Sequence, residues 1–178
     1  MAVMQKGEQG VQAVEPCDTD EHLESVLFGA GCFWGVESAF RKMDGVMDTA
    51  VGYSGGSVEK PSYEQVCTDS TGHAEVVRVV YNPAVLSFEK LLVSFFQLHD
   101  PTQLNRQGPD HGSQYRSAVF CCTDAQHEVA EQFRDELNQS GQLPRPIVTQ
   151  VEKADTFWRA EEYHQQYLEK NRNAVCSI

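Results

Sequence analysis

The chain has 178 residues, six cysteines and a formal net charge of −12 at pH 7. This length can bury one substantial core, so we expect a single domain that needs no disulfide framework. The negative charge disfavours nucleic acids and anionic membranes as partners, and no segment approaches the roughly 20 apolar residues that cross a bilayer. Residues 1–10 carry no apolar signal core. We therefore expect a cytoplasmic protein with reduced thiols, some of them redox-active.

Three parts are predicted along the chain. Residues 1–22 show no apolar period and predict a flexible, solvated N-terminal arm. Residues 23–170 predict one folded domain. Residues 171–178 are a polar C-terminal tail that is expected to be mobile and that carries Cys176.

Short β-rich runs alternate with helical runs in the central part of the chain. Strands are predicted at Ser25–Phe28, Val46–Tyr53, Ala74–Tyr81, Ser117–Phe120 and Ile147–Val151. Helices are predicted directly after Cys32, at Ser87–Leu98, from Thr123 to about Ser140, and at Arg159–Lys170. The order begins β-α-β-β-α-β, which predicts an α/β (α+β) two-layer sandwich with a mixed sheet on a split βαβ, ferredoxin-like core.

Cys32 is the first candidate for chemistry. It follows an apolar strand and a glycine and opens a helix, where unpaired N–H groups and the helix dipole favour a thiolate. The pattern therefore predicts a nucleophile with a lowered pKa, although many cysteines are simply small buried residues. The neighbouring Phe33 and Trp34 either belong to the core or form an apolar slot for a methyl or thioether group.

Glu75 is the second candidate. The period-two pattern of its strand places it on the same face as the apolar residues Val77, Val79 and Tyr81, with Arg78 on the other face. A carboxyl group in such surroundings has a raised pKa and serves as a general acid near neutral pH. A glutamate turned to solvent at the strand end is the alternative.

Two long polar segments, residues 54–72 and 101–114, predict ordered functional loops. Tyr63 lies in the first segment, Asp110 lies in the second, and Tyr115 follows the second directly. Their hydroxyl and carboxylate groups can bind a polar oxygen. Taken singly, each of these residues is more typical of a loop anchor.

Other kinds of site find less support in the sequence. The cysteines and histidines lack paired metal-ligand spacing, so neither a metal nor another cofactor is expected. A cysteine hydrolase or acyltransferase would pair Cys32 with His73 or His111. A non-catalytic domain that grips thioether side chains with Phe33 and Trp34 is the remaining alternative.

Several motifs in one order resemble the class A peptide-methionine sulfoxide reductases, which are specific for the S epimer. The first is Gly31-Cys32-Phe33-Trp34-Gly35-Val36-Glu37, and the resemblance extends over roughly residues 25 to 170. The further matching segments are residues 51–56, 61–67, 72–77, 99–102, 105–108, 114–117 and 160–168. Pro109 and His111 depart from the family pattern, as do the adjacent Cys121 and Cys122.

The resemblance implies a role for each candidate residue. Cys32 would attack the sulfoxide sulfur, Glu75 would protonate its oxygen, and Tyr63 and Tyr115 would hydrogen-bond that oxygen. Phe33 and Trp34 would hold the methyl group, and Asp110 would order the site and bind the substrate backbone.

The resemblance also implies how the enzyme is recycled. A sulfenic acid formed on Cys32 would condense with the tail cysteine, Cys176, and thioredoxin would reduce the resulting disulfide. Cys17, Cys67, Cys121 and Cys122 remain alternative resolving thiols. The expected partners are methionine sulfoxide, free or in proteins, and thioredoxin, and the expected state is a monomer.

Overall fold

The computed structural model describes residues 10–176. Seven strands form one mixed sheet in the order β1-β9-β3-β4-β2-β7-β8, and β5 and β6 form a separate small hairpin. The strands are β1 Gln12–Val14, β2 Glu24–Ala30, β3 Val46–Ser54, β4 Ala74–Tyr81, β5 Arg106–Gln107, β6 Asp110–His111, β7 Ser117–Cys121, β8 Gln150–Lys153 and β9 Phe157–Arg159.

Five α-helices pack around this sheet. They are α1 Phe33–Arg41, α2 Tyr63–Cys67, α3 Phe88–Leu98, α4 Asp124–Gln139 and α5 Tyr167–Lys170, with 3₁₀ turns at Ser113–Tyr115 and Glu162–His164. Over the described part of the chain, no helix is long and apolar enough to cross a membrane.

The four central strands lie in the order β3-β4-β2-β7, and each neighbouring pair is antiparallel. Together with α1 and α3 they form the predicted split βαβ core. β7 pairs in parallel with β8, so the sheet is mixed as predicted. The two-layer α/β architecture is therefore confirmed.

Strand β2 lies at the centre of the core. Val26, Leu27 and Phe28 have no exposed surface, because both faces of this strand are covered. Phe28 stacks against Phe40 of α1 and Phe95 of α3 on the helical side. A smaller apolar cluster that includes Leu27 closes the other side.

The segment that follows β9 differs from its prediction. We expected one helix over Arg159–Lys170, but β9 extends to Arg159 and only Tyr167–Lys170 is α-helical. The Gln165 side chain instead bonds both the N–H and the C=O of Val51, at 2.9 Å each, and Gln166 has a left-handed φ of 51°. These long-range contacts override the local helical preference.

Part of the predicted N-terminal arm is docked on the sheet. Strand β1 pairs with β9, and a disulfide joins Cys17 to Cys122, so the expectation that all cysteines are reduced is wrong for this pair. The backbone N–H and C=O groups of β1 form hydrogen bonds with β9 at the sheet edge, and composition alone does not reveal this pairing. Residues 1–9 of the predicted arm and 177–178 of the predicted tail lie outside the described residues.

Candidate active site

The candidate residues meet at one end of the central strands. Cys32 follows the carboxyl end of β2 and is the N-cap of α1, while Glu75 lies at the amino end of β4. Because β2 and β4 are antiparallel, these two ends are adjacent. Glu75 is also the register partner of Tyr53 in β3. The topology therefore brings a thiol and a carboxyl group to one place.

The first turn of α1 places three successive backbone N–H groups beside three candidate side chains. The Phe33 N–H donates to Oε2 of Glu75 at 3.2 Å. The N–H groups of Trp34 and Gly35 lie close enough to the sulfurs of Cys32 and Cys176, respectively, to oppose a rise in their pKa. First-turn amides have no partner inside their own helix, so they are free for this task. One helix end thus positions all three groups.

Glu75 is a buried acid. Its side chain belongs to the apolar face predicted for it, and the residue is 2% exposed. Burial raises the pKa of its carboxyl group to about 8, an effect that the Phe33 N–H opposes and the charges of Asp110 and Cys176 reinforce. Glu75 therefore carries a proton at neutral pH, as a general acid must.

The two site cysteines form a coupled pair. The thiol of Cys32 lies within hydrogen-bonding reach of Cys176, and this bond, together with burial and the nearby Glu75 carboxyl, raises the pKa of Cys32. The same bond lowers the pKa of Cys176 to about 7. The predicted lowering of the Cys32 pKa is wrong for this arrangement, because the hydrogen bond shared with Cys176 and the burial of the thiol both raise that pKa.

Tyr63, Tyr115 and Asp110 lie around the carboxyl group of Glu75. Burial and the charge of Glu75 raise the pKa of both tyrosines, which keeps their hydroxyl groups protonated as donors. Tyr63 also hydrogen-bonds the thiol of Cys67. Asp110 lies near enough to influence the pKa values of Glu75 and Cys176.

Phe33 and Trp34 occupy different environments. The ring of Phe33 is almost completely buried, with its centroid 5.8 Å from that of Tyr53. Trp34 is half-buried and stacks on Tyr167 with centroids 3.9 Å apart. An apolar surface with one accessible indole therefore lies beside Cys32.

Sequence reasoning assigned no role to Glu161 and His164, which hold this aromatic group in place. His164 is fully buried and accepts a hydrogen bond from the indole N–H of Trp34 at 3.0 Å. Its other ring nitrogen lies 3.2 Å from Glu161, whose carboxylate also accepts the N–H of Tyr63 at 3.1 Å. Both residues lie in a matching motif, but predicting a helix there concealed their contacts.

Glu37 of α1 is a second buried carboxyl group. Its carboxylate accepts hydrogen bonds from Thr49 Oγ1 at 2.9 Å and from the backbone of Gln166 at 2.8 Å. Burial raises its pKa, and these bonds oppose the effect. Glu37 thus joins α1 to the segment that carries His164.

The histidines proposed for a cysteine hydrolase are not arranged for it. Both ring nitrogens of His73 contact backbone groups, the N–H of Gly56 at 3.0 Å and the C=O of Val58 at 2.7 Å. His111 is exposed on β6. Neither forms a nucleophile–base pair with Cys32 in the described structure.

Comparisons with known proteins place the chain in a family. Residues 24–178 match the family model described as peptide methionine sulfoxide reductase. The MsrA of Acidobacterium capsulatum is 61% identical over 156 residues, which cover 88% of this chain and 100% of that protein.

Solved structures agree with this assignment. Reduced Mxr1 of Saccharomyces cerevisiae superposes with a TM-score of 0.83 at 36% identity, covering 94% of this chain and 93% of that one. Mxr1 in complex with Trx2 gives a TM-score of 0.59 at 27% identity, covering 84% and 87%. The chain belongs to the peptide methionine sulfoxide reductase family.

Proposed function

We propose that this chain reduces methionine S-sulfoxide, free or in proteins, back to methionine, and so repairs oxidised proteins. The observation that carries the proposal is the start of α1, where the buried Glu75 accepts the Phe33 N–H beside Cys32, whose thiol lies close to that of Cys176. Family membership supports the same reaction.

In the first step, Glu75 donates its proton to the sulfoxide oxygen while the sulfur of Cys32 attacks the sulfoxide sulfur. Protonation turns a poor leaving group into a good one. The hydroxyl groups of Tyr63 and Tyr115 hydrogen-bond the oxygen, which stabilises its developing charge. The oxygen ends on Cys32 as a sulfenic acid, and methionine leaves.

Substrate binding activates Cys32 in this scheme. The hydrogen bond with Cys176 is the largest cause of the raised pKa of Cys32. A sulfoxide that takes the place of Cys176 removes that cause, while the Trp34 N–H continues to favour the thiolate. The reactive form of the nucleophile thus appears when substrate is present.

Phe33 and Trp34 receive the methyl group of the substrate, and Asp110 orders the site and binds the substrate backbone. The half-buried indole of Trp34, two residues after Cys32, supports the first assignment. The position of Asp110 near Glu75 supports the second.

Cys176 then resolves the sulfenic acid. Its sulfur attacks that of Cys32, water leaves, and a Cys32–Cys176 disulfide forms. The proximity of the two thiols supports this assignment over the other cysteines. We propose that the segment that carries Cys176 moves to alternate between substrate access and disulfide formation.

Thioredoxin is the proposed reductant of the Cys32–Cys176 disulfide. The complex of Mxr1 with the thioredoxin Trx2 supports this partner. A cycle that depends on thioredoxin suits a cytoplasmic location. We propose that the protein acts as a monomer.

The deciding experiment incubates the protein with dithiothreitol and separated S and R epimers of a blocked methionine sulfoxide. We expect methionine from the S epimer alone, and a loss of at least roughly 10⁴-fold in Cys32→Ser, because that variant lacks the nucleophile. Cys67→Ser is the matched control, and we expect it to stay active. Absence of product from both epimers would overturn the proposal.

A further inference from the structure

A second redox centre lies at the opposite end of the sheet. The disulfide joins Cys17, which follows β1, to Cys122, which follows β7. Cys121 is the register partner of Val26, whereas Ser117 is the partner of Ala30, close to Cys32. Four residues of strand span roughly 13 Å at about 3.3 Å each. Cys122 is therefore too distant to exchange directly with Cys32.

The disulfide fastens the N-terminal segment at residues 10–22. The carbonyl of Pro16 accepts hydrogen bonds from Ser25 Oγ at 2.7 Å and from Arg78 Nε at 2.9 Å. Arg78 also donates to the carbonyl of Asp18 at 2.5 Å. Val11 and Val14 of this segment pack against the core only as partly buried side chains, and the disulfide adds a covalent attachment across a separation of 105 residues.

This attachment reaches the structure behind the active site. Strand β1 covers the outer edge of β9, pairing Gln12 with Arg159 and Val14 with Phe157. The chain runs directly from β9 to Glu161, which supports His164 and Tyr63. An unpaired three-residue strand is marginal by itself. Releasing β1 would leave β9 paired with β3 alone. The backbone amides of β9 would then be less protected from exchange with solvent.

The disulfide is accessible to a reductant. Cys17 is exposed and Cys122 is half-buried. A thiolate of a dithiol attacks one sulfur of the disulfide, forming a mixed disulfide and releasing the other cysteine as a thiolate. The second thiol of the reductant then attacks the mixed disulfide. Two electrons pass to the protein, which ends with two thiols, and the reductant ends as a disulfide.

We propose that Cys17 and Cys122 form a redox-operated clamp, separate from the catalytic cysteines, which fastens β1 over β9 when oxidised and releases it when reduced. The exposed disulfide and the β1–β9 pairing carry this inference, which does not depend on the proposed reaction. The dithiol class of reductant opens the clamp, and glutathione disulfide, a two-electron oxidant, closes it.

The test uses the full chain with Cys32→Ser and Cys176→Ser, so that the catalytic pair cannot contribute. Hydrogen exchange of residues 11–14 and 157–160 is followed by mass spectrometry after oxidation with glutathione disulfide, with and without dithiothreitol. We expect dithiothreitol to accelerate exchange in both segments by about tenfold or more, because opening lowers their local stability.

Two further variants complete the test. Cys17→Ser is expected to exchange like the reduced chain without dithiothreitol, whereas Cys67→Ser is expected to match the oxidised parent. If Cys17→Ser does not fold, the comparison of oxidised and reduced parent chain decides alone. Unchanged exchange on reduction, or alkylation of Cys17 and Cys122 in the oxidised chain, would overturn the proposal.

Discussion

The two ends of strand β2 carry similar polar groups arranged for opposite purposes. At the amino end, Glu24 accepts a hydrogen bond from the Tyr81 hydroxyl at 2.6 Å, and Gln126 bonds the Ser25 carbonyl and the Cys122 N–H. At the carboxyl end, Glu75 receives one hydrogen bond from a backbone amide among the described residues. The amino end is satisfied, whereas the carboxyl end keeps unused hydrogen-bonding capacity.

This difference shows what makes a buried polar group reactive. A carboxylate with several donors is stabilised in its charged form, while burial without such donors raises the pKa. The same contrast applies to sulfur, because Cys122 is paired in a disulfide whereas Cys32 and Cys176 share a hydrogen bond. Variants at the two ends test this contrast.

Changing Cys176 should have the largest effect on the catalytic cycle. In Cys176→Ser, we expect one turnover per Cys32 and no sustained thioredoxin-driven reduction, because no thiol remains beside Cys32 to form the disulfide. Single-turnover and steady-state methionine formation measure the two quantities. Cys67→Ser, which leaves Cys32, Cys176 and the Cys17–Cys122 disulfide intact, should cycle normally. Full thioredoxin-driven cycling of Cys176→Ser would contradict the assignment.

The Glu75→Gln variant should reduce the sulfoxide about 10²–10⁴-fold more slowly, since the glutamine amide cannot donate the required proton. In the native chain, kcat/KM should fall as pH rises through about 8, where the carboxyl group loses its proton. That alkaline decline should be absent in Glu75→Gln. Glu24→Gln, at the satisfied end, should keep the native rate and pH profile.

The same variant tests a stability effect with a defined sign. Folding raises the pKa of Glu75 from 4.5 to about 8, so the folded chain binds more protons in this interval. Its contribution therefore lowers the free energy of unfolding as pH rises from 4.5 to about 8. Urea unfolding of Glu75→Gln should show a smaller decrease across this range. An identical decrease would show that other groups cause it.

Gln126 should matter for stability and not for catalysis. Gln126→Ala leaves the Cys122 N–H and the Ser25 carbonyl without a partner, which we expect to lower the free energy of unfolding by roughly 1–3 kcal/mol. Urea unfolding measures this loss, and the kcat of the folded variant should be unchanged. Gln132→Ala, on the exposed face of α4, is the control and should change stability little. A large fall in kcat for Gln126→Ala would contradict the division between the two ends.

His164 should have the smallest effect among these sites. His164→Phe keeps an aromatic ring but removes the acceptor of the Trp34 indole N–H, so we expect kcat/KM to fall by roughly two- to tenfold. The fluorescence of Trp34 should change at the same time, which a general loss of folding would not explain if the circular dichroism is native. His127→Phe on α4 is the matched control. Unchanged Trp34 fluorescence would show that His164 does not position this side chain.

The thiol pair itself offers a spectroscopic comparison with the other cysteines. The native chain should show one thiolate that forms near pH 7 by absorbance at 240 nm. This step should disappear in Cys32→Ala, because the hydrogen bond that lowers the Cys176 pKa is lost. Cys67→Ser should retain it.

Much of the fold and of the site was accessible from the sequence by itself. Alternation of apolar residues in β4 predicted Glu75 on the apolar face, with a solvent-facing glutamate as the alternative, and the strand–glycine–cysteine order predicted Cys32 at a helix start. These features depend on local periodicity, which can be recognised from residues that are close in the sequence. The β-α-β-β-α-β order likewise predicted the central sheet, since short connections leave few possible topologies.

Other features were decided only by tertiary structure. The docking of residues 10–22, the disulfide of Cys17 and the irregular segment around Gln165 all depend on partners more than 100 residues away in the chain. The pKa of Cys32 was predicted in the wrong direction because a helix start favours the thiolate, whereas the nearby Cys176 reverses that effect. Local pattern determines which face a side chain occupies, but only the folded chain determines its neighbours, and neighbours set the pKa.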